Sequence, residues 1–408
     1  MSLSRRGFLA AIPAAALAGC AEDRPLRVAV VWSGDELRRF NEVVREYGRP
    51  VSVYSAGDNI AALLRGPAAE VIPDVAVIPR LGLLFDPVVQ RRIRPWTGGH
   101  EQPPFWRRLV TPYGGREELG AWFKIAHKSL VWHRAGEFTD QPTDLAEWRP
   151  ARGTLSMGAA DGWVLSDWFE NVLLAYAPEV YNGLFPTTGE PGNPAWWGVA
   201  RTEEALELLA TIWRGAFDRD RGRRALTMQF HDSMLDVFVY RTADIVAAPD
   251  FALPVIDRYA GKGSARHFRF PRWRDNPPPL VVGGDVAVAM RDGRTDAIDF
   301  VNWLTRPRTA DERDALTAWI ADGGFLTPFT LPSNELLRGP AQELNDALNG
   351  HYDLSDRLFG PLEGGDGRGL WRVLTELFSD AVVGRVDPRK AAYDAREKLV
   401  AGSREGAR

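Results

Sequence analysis

The chain has 408 residues and a formal net charge of −4, with both signs interspersed, so it carries no footprint for nucleic acid or for an anionic membrane surface. A single cysteine excludes a disulfide framework and a thiolate metal cluster, and no H-E-x-x-H, G-x-S-x-G or P-loop motif is present. A chain of this length divides into two domains, each large enough to bury its own core.

The N-terminus opens with Ser4-Arg5-Arg6-Gly7-Phe8-Leu9 and an apolar stretch from Phe8 to Ala18. That stretch is shorter than the roughly 20 apolar residues needed to span a bilayer, and it reads as an export signal with the paired arginines of the twin-arginine type. It ends in Leu17-Ala18-Gly19-Cys20, which is similar to the lipobox of bacterial lipoproteins. Residues 1–19 are thus expected to be removed. The thiol of Cys20 is expected to carry lipid and to hold an exported protein at the outer face of the cell membrane.

Beyond Cys20, short apolar runs alternate with helical periodicity, which predicts an α/β fold with doubly wound sheets. Leu26 to Trp32 reads as a buried strand. Ser33-Gly34-Asp35-Glu36 reads as a capping box before a helix whose apolar face holds Leu37, Phe40, Val43, Val44 and Tyr47, closed by Gly48. Val51 to Tyr54 and Val75 to Ile78 are predicted strands, with a short helix after Asp58 between them. A second unit begins near Thr154–Met157, continues in a helix from about Leu165 to Tyr176, and includes a helix capped by Thr202. Trp168 and Trp213 fall on apolar helix faces and are expected in the core. Further strands are predicted at Ala243–Ala248 and Asp285–Met290, and Thr309 to Glu312 reads as a capping box opening a helix with Leu316, Trp319 and Ile320. Asp218-Arg219-Asp220-Arg221-Gly222 lacks the distal glutamate of a calcium loop and reads as a solvated turn. The Gly-rich run from Gly360 to Gly369 lacks the preceding strand of a dinucleotide site, so no cofactor is expected.

In open α/β sheets, ligands bind beyond the carboxyl ends of the strands. That rule selects Trp32 and Asp35 after the first strand, Asp58 after the second, and Pro79 with Arg80 after the third. In the second unit it selects Asp161, Trp163 and Asp167, and then Asp250 with Phe251. Carboxylates beside aromatic rings suit a sugar, whose C–H face packs on a ring while an ionised carboxylate accepts two edge hydroxyls. Several also have a structural reading: Asp35 as part of a first helical turn, Asp58 as a cap, and Trp163 as core, while Asp250 after Pro249 is open to either. Lys124 and Lys128 are two of only five lysines; they either serve the site or bracket a crossing strand and face solvent. Asp58, Asp161 and Asp167 would also serve as the carboxylate pair of a polysaccharide-acting enzyme, a competing class.

The stretches Val31-Trp32-Ser33-Gly34-Asp35-Glu36, Asp74-Val75-Ala76-Val77-Ile78-Pro79, Phe123 to Trp132, Gly158 to Trp168, Val282-Gly283-Gly284-Asp285-Val286-Ala287-Val288 and Gly323-Gly324-Phe325-Leu326, in that order, resemble the extracellular solute-binding proteins of carbohydrate ABC importers, particularly the α-glucoside-binding branch. The resemblance implies a type II, two-lobed fold, with residues 20–127 and 286–326 in one lobe and 128–285 and 327–400 in the other. It implies crossings near Lys124–Lys128, Val282–Asp285 and Thr327–Pro328, and places Lys124 and Asp285 beside the ligand. It further implies a monomeric, non-enzymatic receptor that hands a sugar or small oligosaccharide to a permease, without metal or cofactor. The stretch from Arg223 to Asp250 departs from the family pattern, so a non-sugar solute on the same fold remains the alternative.

Overall fold

The computed structural model describes residues 24–66, 72–138, 141–148, 154–184, 192–309, 311–323, 325–328, 351–358, 360–363 and 369–406. The export segment and Cys20 lie outside the described residues. Eleven strands are present among the described residues: β1 Leu26–Val30, β2 Val51–Ser55, β3 Val75–Ile78, β4 Ile93–Arg94, β5 Ala121–His127, β6 Leu130–Arg134, β7 Leu155–Ser156, β8 Ile245–Ala247, β9 Ala265–Arg269, β10 Val281–Met290 and β11 His351–Tyr352.

They form two sheets. The first has seven strands in the order β11-β10-β3-β1-β2, with β4 and β5 also paired to β10. β1 runs parallel to β2 and β3, whereas β10 is antiparallel to β3 and β5. The second has the order β7-β8-β6-β9. Helices cover both faces of the first sheet, which explains why Val75–Ile78 is apolar without alternation and wholly buried. Two large cores result. One gathers Val28, Phe40, Ile78, Trp122, Phe300 and Trp319; the other gathers Trp168, Phe169, Leu209, Trp213, Leu374 and Phe378. A smaller cluster with Trp132, Met234, Val246 and Ile256 covers the opposite face of the second sheet. Trp168 and Trp213 are buried, as their helix faces predict.

Four local expectations shift. Thr202 does not cap its helix but lies inside it, since Ala200–Ala216 begins two residues earlier with Val199 at the cap position. The helix Gly34–Arg45 begins where expected, but the Ser33 side chain makes no cap bond. At Thr309, Glu312 does reach back to the Thr309 N–H (3.2 Å), yet the helix starts later, at Ala315–Ala321, with Asp314 accepting from the Thr317 N–H at 2.8 Å. Asp218 does not sit in an open turn: it caps the helix Arg219–Ala225, accepting from the N–H groups of Asp220 and Arg221.

The chain passes between the cores along adjacent segments. β5 ends at His127 on the first sheet and β6 begins at Leu130 on the second. Val281 packs in the second core and Val282 in the first. The Lys128 N–H donates to the Val281 carbonyl at 2.9 Å, tying these two passages together. The last passage among the described residues is at Asp353, between Tyr352 of the first core and Leu354 of the second; the crossing expected near Thr327–Pro328 runs into residues outside the described ones. Leu326 bridges Ile125 on the first sheet, and the parallel pairing of β11 with β10 keeps 351–352 there.

Candidate ligand-binding cleft

The carboxyl ends of β1, β2 and β3 point at the second lobe and leave a cavity of about 250 Å³. The first lobe lines it with Trp32, Ser33 and Glu36 after β1, Gly57 and Asp58 after β2, Pro79 and Arg80 after β3, and Lys124 and Asp285 from β5 and β10. Lys128, Trp163, Phe230, Phe251, Asp356 and Trp371 close it from the other side.

The two lysines are buried and do not face solvent. Lys124 Nζ lies 2.6 Å from Glu36 and 3.7 Å from Asp285, and 4.9 Å from the Trp32 ring centre. Burial pulls its pKa down, but the two carboxylates outweigh burial and leave the ammonium above its ordinary value. Asp285, in turn, is pushed up to about 6 by burial, against the pull of Lys124. Lys128 bonds Asp353 and Asp356 and stands 3.5 Å from Asp167. Burial opposes its charge, yet the surrounding carboxylates hold it well above the usual lysine range. Burial pushes Asp167 up to about 7 and Asp356 well up as well. Asp353 is the exception: burial is overcome by Lys128, and its carboxyl is held far down. One ammonium therefore carries one full counter-charge and two carboxyls disposed to hold protons.

Close approach of backbone makes this possible. A Cβ at Gly284 would stand 2.1 Å from the Lys124 carbonyl oxygen, and one at Gly283 would stand 2.3 Å from the Lys128 side chain. The Gly283-Gly284 pair is what lets β5 and the Lys128 stem lie against β10.

The second lobe supplies an aromatic wall. Trp163 is half-buried at the start of the helix Gly162–Tyr176, with its ring centroid 4.9 Å from Phe230 and 5.9 Å from Phe251. Facing it, Asp58 presents an exposed carboxylate whose pKa burial raises and Arg80 lowers, with a net rise. Arg80 has only 5% of its side chain exposed. Among the described residues its three guanidinium nitrogens have no hydrogen-bond partner; a Glu363 oxygen stands 3.7 Å away and the Trp371 ring 5.4 Å away.

Of the residues selected from sequence, the structure brings Trp32, Asp58, Pro79, Arg80, Lys124, Lys128, Trp163, Phe251 and Asp285 to this cavity. Four lie elsewhere. Asp35 sits on the rim beside Arg38, Arg39 and Arg258. Asp161 accepts the Phe230 N–H at 2.6 Å, fixing the aromatic wall from behind. Asp167 lines a separate small chamber under Trp163 with Lys128 and Asn171. Asp250 is buried behind Phe251, and burial pushes it up to about 8 against the pull of the His127 and Phe251 backbone and of Lys124. Glu36, Phe230 and Trp371 were not singled out in the sequence. Glu36 carries a signal that could have found it, since it follows the same strand end as Asp35. Among the described residues, no group of three or more His, Cys, Asp or Glu side chains is placed to hold a metal ion.

A cavity thus lies between two α/β lobes, walled by aromatic rings and lined by carboxylates at strand ends. No family model matches the chain. In sequence it is 24% identical over 332 residues to the osmoprotective compounds-binding protein GgtB of Synechocystis sp., covering 71% of this chain and 72% of the relative. It is 24% identical over 383 residues to the alpha-glucosides-binding periplasmic protein AglE of Rhizobium meliloti, covering 82% and 80%. In fold it is similar to a chitin oligosaccharide binding protein (TM-score 0.70, 12% identity, 93% of this chain and 100% of that one). The Thermus thermophilus maltotriose binding protein bound with maltotriose superimposes with a TM-score of 0.67 at 15% identity, covering 92% and 99%. The resemblance read from the sequence is thereby upheld, as is the two-lobed fold.

Proposed function

We propose that the protein is a receptor that captures a sugar or small oligosaccharide of α-glucoside type between its lobes and delivers it to the permease of an ABC importer. The observation that carries this reading is the pairing, across one cavity, of the half-buried Trp163 ring with the open Asp58 carboxylate and the unbonded Arg80 guanidinium. Such a cavity offers a ring face for C–H bonds, with an acceptor and a donor fork for hydroxyl edges. Charge-assisted hydrogen bonds contribute about 1.5–3 kcal/mol each and an aromatic face about 2. A few such terms cover the roughly 8 kcal/mol of a micromolar complex after ordering costs.

Export and anchoring through lipid on Cys20 are part of the same proposal, and so is release of the ligand without chemical change. Calorimetric titration against α-glucosides and other neutral mono- to trisaccharides, with chromatography of the recovered ligand, tests it. Micromolar binding of an α-glucoside recovered intact is expected. Hydrolysis of the ligand, or preference for a charged solute over every sugar, would overturn it.

A further inference from the structure

Beside the cleft, two helices from different lobes face each other. The helix Gly34–Arg45 is anchored in the first core by Phe40 and Val43, and the helix Ala252–Ala260 is anchored on the second sheet by Ala252 and Ile256. Each starts next to a residue that lines the cavity, Glu36 on one side and Phe251 on the other. A groove of about 360 Å³ lies between them, and its polar lining is almost entirely charged. Two ion pairs span it: Arg258 Nη1 to Asp35 at 2.9 Å and Lys262 Nζ to Asp322 at 3.3 Å. Asp322 ends the first-lobe helix that carries Trp319 and Ile320. The turn that presents Lys262 has positive φ at Gly261 (91°) and Gly263 (84°), a shape that glycine permits without strain. The lobes also touch here through Gly323, where an added Cβ would stand 3.1 Å from Leu253.

Both acids keep partners within their own lobe. Asp35 accepts from Arg38 at 2.8 Å and from Arg39 at 3.4 Å, and Asp322 accepts from Arg39 at 2.9 Å. Opening therefore strands no buried carboxylate, and the two basic side chains, already largely exposed, simply return to water. A contact with these properties breaks and re-forms at low cost and weakens with salt.

We propose that Arg258 and Lys262, with Asp35 and Asp322, form an electrostatic clasp across the cleft rim, positioning residues that favour the closed lobes and slow ligand release without touching the ligand. Exposed pairs of this kind contribute about 0.2–1 kcal/mol each, and two near the middle of that range, about 0.7–1.4 together, should speed release about three- to tenfold when lost. The effect on release rests on the receptor function proposed above; the effect on lobe closure does not.

The test uses two readouts. Small-angle scattering of the ligand-free protein should give a larger radius of gyration at high salt than at low salt. The Arg258→Gln/Lys262→Gln variant should be expanded already and insensitive to salt. Stopped-flow release of the best sugar should be about three- to tenfold faster in that variant, with Arg258→Lys/Lys262→Arg restoring the original rate and an unchanged thermal melt showing intact folding. Salt-independent scattering identical in both proteins, or a release rate unmoved by the double substitution, overturns the clasp. Salt-dependent closure in a protein that binds no sugar would refute the receptor reading and support the clasp.

Discussion

Replacing Trp163 by Ala separates a ligand platform from a core residue. The ring is half-buried: one side packs on Phe230 and Phe251, and the rest lines the cavity. An aromatic side chain buries about 150–250 Å² when fully covered. If a ligand covers the open part, on the order of 60–100 Å², its loss removes about 1.5–2.5 kcal/mol at ~25 cal/mol per Å². Affinity should then fall about ten- to sixtyfold. A fully buried aromatic truncated to Ala costs about 3–5 kcal/mol of stability; the half-packed Trp163 should cost about half of that, whereas Trp168→Ala should show the full loss. Calorimetric titration with the best sugar, alongside a urea melt, reads both numbers. Affinity unchanged within twofold in a folded Trp163→Ala protein would refute the placement of the sugar against this wall.

Asp250→Asn addresses pH. The Asp250 pKa is raised in the fold to about 8 by burial, so the folded state holds this proton more tightly than the unfolded chain. Its contribution is therefore fully present below the unfolded value near 4 and is lost as pH rises toward 8, by at most about 6 kcal/mol. Denaturant melts between pH 4.5 and 8 should show stability falling with pH more steeply in the wild type than in Asp250→Asn, and parallel curves would contradict this. Gly284→Ala forces a Cβ to within 2.1 Å of the Lys124 carbonyl and should lower the melting temperature by several degrees, as a calorimetric scan would read. Cys20→Ser should release the protein from the membrane fraction or leave it unprocessed; full membrane retention of a processed mutant would contradict lipid anchoring.

The parts of the fold legible in the sequence were those governed by local pattern. Short valine-rich runs marked β1, β2 and β3, and the rule about strand ends led to Trp32, Asp58 and Pro79. What escaped depends on neighbours distant in the chain. Trp371 closes the cavity from a helix near the C-terminus, and nothing local distinguishes it from a core tryptophan. β11 is two residues long, too short to carry any periodicity, so the passage beside it at Asp353 left no mark in the sequence. Lys128 has the ordinary appearance of a solvated lysine. Only its three acids, two of them more than two hundred residues away, take it inside. Asp218 and Asp314 outcompeted the predicted turn and the Thr309 box because each carboxylate reaches a free helix N–H directly.

The Lys128 cluster has a mechanical meaning. The ammonium belongs to the first passage, its own N–H is held by the second at Val281, and its carboxylate partner Asp353 marks the third. These three passages among the described residues are pinned at one fulcrum, so sliding of one half past the other would tear these bonds, while tilting about the pin spares them. The rim then acts as the long arm of a lever, and a slight rotation at the pin is magnified where Arg258 meets Asp35. Substitutions at the fulcrum should stiffen or loosen every movement at once, whereas those at the arm's end adjust only how long the jaws stay shut.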